Sequence, residues 1–428
     1  MNRISAIVFF ITTIPILVGS RLYAQTTFSE LFEQAKKNSP DMVILEASRN
    51  YLLLETSKIK AENTSPKTFI SSEVLFAPYF NNNGKIISTD PKKAAIGYDI
   101  GVTNGGLYAL LLNTEMPVLN HKQVSNLLEQ NNLEIAKTDT RIKTVAIELK
   151  HSLSLQYLDV LTSQAEYQSL QENLHLLKQQ LEIIKTLTDH GLYRYVDFRL
   201  IQTACMTDSI NFENAKSTYQ LKLDQLLASS GISDTEITEI AFYEPRFNNK
   251  NTDTSFFLQP YTQDSLSAVI QERVFENQYK PQVKIYANTG LNSTSIPHWG
   301  NHVGMSAGIQ LTYTLFDGKQ KQINRKQQLI LMQQATKEKK IKQFELQKQK
   351  ISYSNAIQAV NKSIEKEEKL QNEYNDILAI FNKELQNGQI GIIDYLNFIQ
   401  QFNQNKLSLV NHKIERSKLI VEYNYWNN

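Results

Sequence analysis

The amino-acid sequence repeats itself once, at a constant offset of 197 residues. Pro117–Gln123 aligns with Thr314–Gln320, and further along the chain Gly191 aligns with Gly388. The alignment needs no insertion between these points, whereas surface loops usually differ in length between the copies of a repeat. The sequence therefore predicts two copies of one rigid unit, arranged with pseudo-symmetry.

The first 24 residues are typical of a secretory signal peptide. Arg3 supplies the positive charge, Ile4–Val18 is apolar, and the segment ends in the small residue Ala24. An uncleaved membrane anchor is the alternative, but an apolar run of roughly 15 residues falls short of the ~20 that a spanning helix needs. No cysteine follows the run, so we do not expect an acylated N-terminus. We expect export followed by cleavage.

The charge balance argues against nucleic acid as a partner. The chain has 45 basic and 43 acidic residues, and two of the basic ones, Arg3 and Arg21, lie in the predicted signal peptide. The rest of the chain is therefore neutral overall, whereas a nucleic-acid-binding domain needs a basic face. The single cysteine, Cys205, excludes an intramolecular disulfide, and we expect it to be a small buried apolar residue.

Four segments have the pattern of β-strands. They span about residues 68–80 and 105–118 in the first copy, and about 282–292 and 303–316 in the second. Asn81–Gly84 predicts a turn directly after the first strand, followed by a loop to about Gly106.

The last of these strands alternates without interruption between apolar residues and small or polar ones. Its apolar positions are Val303, Met305, Ala307, Ile309, Leu311 and Tyr313. Soluble sheets also alternate. The run nevertheless covers the ~9–11 residues of a tilted membrane strand, and small polar residues suit a wetted lumen. After the signal peptide no apolar run reaches the length of about 20 residues that a spanning helix needs, so any membrane entry would use strands. We predict that the six apolar residues face lipid.

A long helix follows each strand pair. Residues 120–189 contain neither proline nor glycine, which predicts a continuous rod of roughly 100 Å. Apolar residues recur at coiled-coil spacing, giving one seam at Leu170, Leu174, Leu177, Leu181 and Ile184 and another at Leu370, Tyr374, Ile377 and Phe381. Further helices are predicted at Thr27–Lys60, with a break at Pro40, and as return helices at Asp197–Leu227 and Asp394–Trp426.

The predicted organisation is a signal peptide (1–24), a first repeat (25–228, long hairpin 120–228), a linker (229–260) and a second repeat (261–428, long hairpin 318–426). Four strands cannot close a membrane barrel, because such barrels start at about eight strands and an open edge leaves backbone groups unpaired in lipid. Two chains would supply about eight strands and three chains about twelve, enough for a channel. The expected fold is mainly α, with coiled-coil rods joined to a shared transmembrane β-barrel.

The order helix, strand pair, long helix, turn and return helix, given twice, resembles the TolC-like outer-membrane efflux proteins. Leu315–Lys319 resembles the strand-to-helix junction of that family, and Met116–Asn120 is its first-copy version. Asn387–Leu396 and His190–Asp197 resemble its two helix–turn–helix tips. The resemblance implies a homotrimer in the outer membrane that extends into the periplasm, with its helices arranged as an α-helical coiled-coil barrel. It also implies a periplasmic adaptor and an inner-membrane transporter as partners, no cofactor, and a conduit instead of an enzyme.

The two turns contain the candidate site residues. Gly191 and Gly388 suit helix C-caps, and Asp197 and Asp394 suit the first turns of the return helices. The resemblance adds a second role for Asp394, because acidic residues of the second-copy tip line the family's constriction and would form a ring in a trimer. The family's second acidic position is Asn397 here, which departs from the pattern.

No pattern predicts catalysis or a metal site. His298 and His302 flank Trp299 in a segment expected to be an exposed loop, and two histidines on a turn are too few for a metal ion. Phosphate-binding loops, nucleophile elbows and HExxH motifs are absent from the sequence. The alternatives are a soluble periplasmic coiled-coil adaptor or scaffold, or an exported enzyme or binding protein on a helical scaffold. The doubled hairpin and the long alternating strand favour the channel.

Overall fold

The computed structural model describes residues 26–75, 79–88, 96, 108–232, 237, 239–248, 255–293 and 299–428. The predicted signal peptide and His298 lie outside these residues. The helices are α1 (Phe28–Asn38), α2 (Pro40–Thr64), α3 (His121–Asp189), α4 (Tyr195–Ser229), α5 (Gln259–Glu276), α6 (Gln320–Gln386) and α7 (Ile392–Trp426). Short 3-10 helices lie at Phe256–Leu258, Asn277–Tyr279 and Trp299–Asn301.

The strands are β1 (Lys67–Val74), β2 (Tyr79–Asn82), β3 (Lys85–Ser88), β4 (Tyr108–Val118), β5 (Gln282–Ser293) and β6 (Val303–Thr312). Four of them form an antiparallel sheet in the order β1-β4-β5-β6, while β2 pairs with β3 and Phe80 of β2 also bridges to Ile96. The central β4–β5 pair joins a strand of the first sequence copy to a strand of the second. The predicted mainly helical fold with two strand pairs is confirmed.

Two strand predictions need correction. The strand predicted at 68–80 ends at Val74, and Tyr79–Asn82 belongs to the separate β2–β3 hairpin. The predicted turn at Asn81–Gly84 is confirmed, because Asn81, Asn83 and Gly84 all have positive φ angles. These angles reverse the chain tightly enough for β3 to form where the sequence predicted a loop.

The second correction concerns the end of β6. The strand was predicted to extend to residue 316 but ends at Thr312, the residue paired with the first residue of β5. Tyr313 therefore lies one residue beyond the strand. Gly318 and Lys319 then adopt positive φ angles before α6 begins.

The helices agree closely with the periodicity of the sequence. α3 and α6 contain 69 and 67 residues, and no proline or glycine interrupts either of them. Pro40 is the first residue of α2, where its missing N–H costs nothing. α5 begins at Gln259, two residues inside the segment predicted as a linker. Within the residues described above, no helix combines the length and apolar character needed to cross a membrane.

The chain divides into two compact units, and each draws on both halves of the sequence. One contains Met1–Ala35, Leu153–Pro245 and Ile364–Ser417, and the other contains Lys36–Ser152, Arg246–Ser363 and Lys418–Asn428. In the first unit, Ile184 of α3, Ile201 of α4 and Leu385 of α6 are fully buried in one apolar core near the two helix–turn–helix turns. The second unit contains the four-stranded sheet.

The two predicted coiled-coil seams have different outcomes. Along α3, Leu174, Leu177 and Ile184 are buried, as predicted. Along α6, Leu370 and Ile377 are 46% and 37% exposed, so the prediction is wrong at these two positions. The core contacts of α6 are made instead by Tyr374, Leu378, Phe381 and Leu385. These four residues have the same 4-3-4 spacing as the predicted seam, but they lie on a different face of the helix. Leu370 and Ile377 therefore point away from the core.

Candidate functional site

The turn between α3 and α4 is closed by Gly191, which has a φ angle of +76°. Its N–H donates to the Thr188 carbonyl at 3.0 Å, and the Leu192 N–H donates to the Leu187 carbonyl at 2.9 Å. This pair of bonds is a Schellman motif, in which a left-handed residue satisfies the last helical carbonyls. Glycine suits the position because it has no Cβ to strain a positive φ angle.

The turn between α6 and α7 repeats this geometry at the offset found in the sequence. Gly388 has a φ angle of +71°, its N–H donates to the Leu385 carbonyl at 3.2 Å, and the Gln389 N–H donates to the Glu384 carbonyl at 2.8 Å. Each bond connects residues that align with those of the first turn. The two copies therefore share the same backbone device at the end of the long helix.

Asp197 is the third residue of α4, and only 6% of it is exposed. Its carboxylate accepts the Arg194 backbone N–H at 3.1 Å and two guanidinium bonds from the same residue, both at 2.9 Å. These hydrogen bonds, the side-chain ones first, hold the pKa of Asp197 below its ordinary value. The carboxylate thus serves as a helix cap whose charge is already neutralised.

The lowered pKa of Asp197 predicts a pH-dependent stability. A carboxylate whose pKa is depressed by folding stabilises the protein above its unfolded pKa, and this contribution is lost as the pH falls through the folded pKa. We expect Asp197→Asn to lower the free energy of unfolding by about 1 kcal/mol near pH 7, the usual loss of a helix cap. The difference from wild type should shrink as the pH drops below the ordinary value of 3.8.

Thermal melting followed by circular dichroism in detergent, at pH 7 and in a series of acidic buffers, measures this difference. Asp394→Asn is the matched control, because it removes the aligned carboxylate from a site without partners. Equal melting shifts for the two variants, or a shift for Asp197→Asn that does not depend on pH, would contradict the cap.

Asp394 occupies the same position in α7, but its surroundings differ. It is exposed, and among the residues that the structure describes it has no hydrogen bond or ion pair. The residue that aligns with Arg194 is Gly391, which has no side chain to pair with it. Asn397, one turn further along α7, is exposed as well. The second turn therefore presents an unpaired carboxylate where the first presents a neutralised one.

Tyr193 joins the two turns within this unit. Its hydroxyl lies 2.9 Å from the carbonyl of Ile390 in the second turn and 3.3 Å from the carbonyl of Leu385 at the end of α6. Burial raises the pKa of Tyr193, so the hydroxyl stays protonated and donates. This residue was not among those that the sequence singled out. The only signal was a hydroxyl-bearing side chain at a position where the other copy has an isoleucine.

Cross-strand register divides the sheet into two faces. One, called the apolar face here, contains no charged residue in β1, β4, β5 or β6. It consists of Thr68, Ile70, Ser72 and Val74, then Tyr108, Leu110, Leu112, Thr114, Met116 and Val118, then Val283, Ile285, Ala287, Thr289, Leu291 and Ser293, and finally Val303, Met305, Ala307, Ile309 and Leu311. Val303 and Met305 are 69% and 87% exposed. No part of the described chain covers the β6 section of this face.

The opposite face, called the polar face here, holds every charged residue of these four strands. They are Lys67, Glu73, Glu115 and Lys284. Along β6 this face presents Gly304, Ser306, Gly308, Gln310 and Thr312, and the Tyr286 ring lies directly over Gly308. A sheet with one charge-free exposed face and one polar face can separate lipid from water.

The histidine segment is described only in part. His302 precedes β6, while His298 and the side chain of Trp299 lie outside what the structure describes, so the expected exposed loop stays a prediction there. Among the described residues, no three His, Cys, Asp or Glu side chains are grouped so that they could hold a metal ion.

Comparison with known proteins places this arrangement in a structural context. No protein-family model and no curated protein matches the chain. Among solved structures, the outer membrane protein VceC of Vibrio cholerae matches with a TM-score of 0.69 at 15% identity, over 94% of this chain and 95% of that one.

Two further structures match over similar lengths. CusC, described in terms of transmembrane channel formation, has a TM-score of 0.70 at 11% identity, with coverage of 94% and 92%. The CmeC outer membrane channel of Campylobacter jejuni has a TM-score of 0.67 at 12% identity, with coverage of 95% and 86%. Similarity at such low identity is informative about the fold. The chain has the fold of the TolC-like outer-membrane channels, as its ordered motifs predicted.

Proposed function

We propose that this chain is one subunit of an outer-membrane channel that serves as an exit duct for efflux or secretion. The observation that carries the proposal is the contrast between the two faces of the four-stranded sheet. One is the charge-free apolar face, and the other is the polar face, which holds glycine, serine and all the charged residues of these strands. The apolar face suits contact with lipid, and the polar face suits contact with a water-filled lumen. The fold shared with outer-membrane channels agrees with this assignment.

The proposed channel is a homotrimer. Within the described sheet, β1 and β6 each pair with a single strand, so the sheet has two open edges. Unpaired backbone groups in lipid cost several kcal/mol each, which favours closure by further copies. Three copies supply about twelve strands, enough for a channel, whereas about eight would fill with side chains.

The length of the long helices supports the proposed extension of the channel into the periplasm. α3 and α6, of 69 and 67 residues, are several times longer than a spanning segment of ~20 residues. They would extend into the periplasm, where a periplasmic adaptor and an inner-membrane transporter would supply contact and energy. The chain itself would act as a conduit and not as an enzyme. Repeats 25–228 and 261–428 would each contribute one strand pair and one hairpin to the trimer.

Reconstitution in a planar lipid bilayer tests the channel directly. Protein extracted in detergent from the membrane fraction should form stable pores of a size consistent with a trimer. A protein that stays soluble and never inserts would overturn the channel and favour the periplasmic coiled-coil scaffold.

Within this channel, we propose that Asp394 forms a ring of carboxylates at the periplasmic end. Its exposure and lack of partners support the proposal, since a paired carboxylate would contribute little field. Asp394→Asn should lower the cation-to-anion permeability ratio by about twofold or more, because three like charges in a narrow pore act together. Reversal potentials in a potassium chloride gradient measure the ratio.

Two variants serve as controls for the Asp394 measurement. Asp197→Asn removes the aligned but neutralised carboxylate and should leave the ratio near that of wild type. Asn397→Asp adds a second exposed carboxylate and should raise the cation preference. If Asp394→Asn changes the ratio no more than Asp197→Asn does, Asp394 is not a selectivity element.

A further inference from the structure

Three charged side chains form a row across the polar face that shifts by two residues between β4 and β5, because Lys284 pairs with Pro117 and not with Glu115. Lys67, the first residue of β1, lies directly opposite Glu115 of β4. Lys284 of β5 approaches the same carboxylate from the other side, with 3.0 Å between its Nζ and Glu115 Oε2. Two lysines therefore flank one glutamate, which leaves one positive charge per chain in this row.

That positive charge is not neutralised by the rest of the face. Tyr286, which pairs with Glu115, and Gln310, which pairs with Lys284, are both uncharged. Glu73, the only other charged residue of the face, lies six positions further along β1, about 20 Å away at the usual rise of a strand. Lys67 has no ion pair among the described residues, and its Nζ lies 5.8 Å from the centre of the Phe69 ring.

The row lies at a defined level of the sheet and is open to solvent. It crosses β4 three residues before that strand ends, and α3 begins three residues after β4 ends. The side chains of Lys284 and Glu115 are 42% and 30% exposed. The row therefore marks the end of the sheet from which the long helices leave, with its charges available to a passing solute.

We propose that Lys67, Glu115 and Lys284 form a positively charged collar that recruits solutes bearing an anionic group, such as a carboxylate or a phosphate. The inference rests on the proposed channel, in which the polar face lines the lumen and each subunit adds its own row. Ammonium groups around a narrow aqueous path raise the local concentration of anions. The collar would thus have the opposite sign to a ring of Asp394 carboxylates.

Chloride and potassium are the probes for a test in planar bilayers. Lys67→Gln and Lys284→Gln should each lower the chloride-to-potassium permeability ratio by about twofold, whereas Glu115→Gln should raise it. Lys85→Gln is the matched control, because it removes the same charge from the β2–β3 hairpin, outside the four-stranded sheet. Lys67→Arg keeps the charge and should keep the ratio.

The outcomes separate the collar from the channel on which it rests. A wild-type protein without pores overturns the proposed function and the collar with it. Pores whose ratio responds to Lys67→Gln and Lys284→Gln no more than to Lys85→Gln overturn the collar alone. If one lysine variant fails to assemble, the other lysine variant still decides, since each lysine is expected to change the ratio by itself.

Discussion

Ala307→Lys is expected to abolish assembly in the membrane, whereas Ser306→Lys is expected to leave it intact. The two residues are neighbours on β6 and belong to opposite faces of the sheet. A lysine that faces lipid near the bilayer midplane costs about 2–4 kcal/mol, and a trimer pays this cost at three sites. A lysine that faces a wetted lumen costs little, since its ammonium stays in water.

The measurement is the fraction of protein recovered from the outer membrane as an oligomer that resists detergent until heated. Both variants place the same side chain in the same strand one residue apart, so a difference in assembly reports which face the lysine occupies. Equal assembly of both variants would show that the apolar face does not meet lipid. Loss of assembly for the Ser306→Lys variant alone would show that the assignment of the two faces is reversed.

The residues of β6 that share a face could be predicted from the sequence, because the alternation of side chains is a local property of a strand. Val303 and Ile309 lie on one face wherever the strand packs, since side chains alternate across any strand. The long helices were equally predictable, because the absence of proline and glycine from residues 121–189 is visible without the structure. The start of β2 at Tyr79 depends on its pairing with β3, and the composition of that segment does not predict this pairing.

Contacts between distant parts of the chain were beyond prediction from a single sequence. The collar combines Lys67 with Glu115 and Lys284, which are 48 and 217 residues further along the chain. Only the β1-β4-β5 order brings them together. The Tyr193 hydroxyl contacts Ile390, which is aligned with it by the internal repeat but lies in the other turn. Such pairs follow from topology and not from spacing.

The repeat itself predicted the backbone more reliably than the side-chain surroundings. Gly191 and Gly388 make the same two hydrogen bonds in their turns. Asp197 and Asp394 occupy the same position in their helices, yet Arg194 neutralises the first and Gly391 leaves the second unpaired. One substitution between the copies thus separates a structural carboxylate from a candidate functional one. The sequence left two roles open for Asp394, a helix cap and a charge ring, and its lack of partners supports the proposed ring.

Gly290→Ala is expected to prevent assembly of the sheet, while Gly304→Ala, directly across the β5–β6 pair, is expected to be tolerated. Gly290 has a φ angle of +151°, and a Cβ placed there would lie 2.2 Å from the Leu110 carbonyl oxygen. That atom belongs to the backbone of β4, so a rotamer change cannot relieve the clash and the strands must separate. A Cβ at Gly304 would meet nothing within 4 Å.

The cost at Gly290 adds backbone strain to the steric clash, and we expect more than about 3 kcal/mol of lost stability in each subunit. Heat-modifiable oligomer and pore formation should both disappear for Gly290→Ala and persist for Gly304→Ala. Both substitutions add one methyl group at paired positions on the polar face, so hydrophobicity and strand propensity change equally. Normal assembly of Gly290→Ala would contradict the close β4–β5 approach, and with it the join between the two sequence copies on which the shared barrel depends.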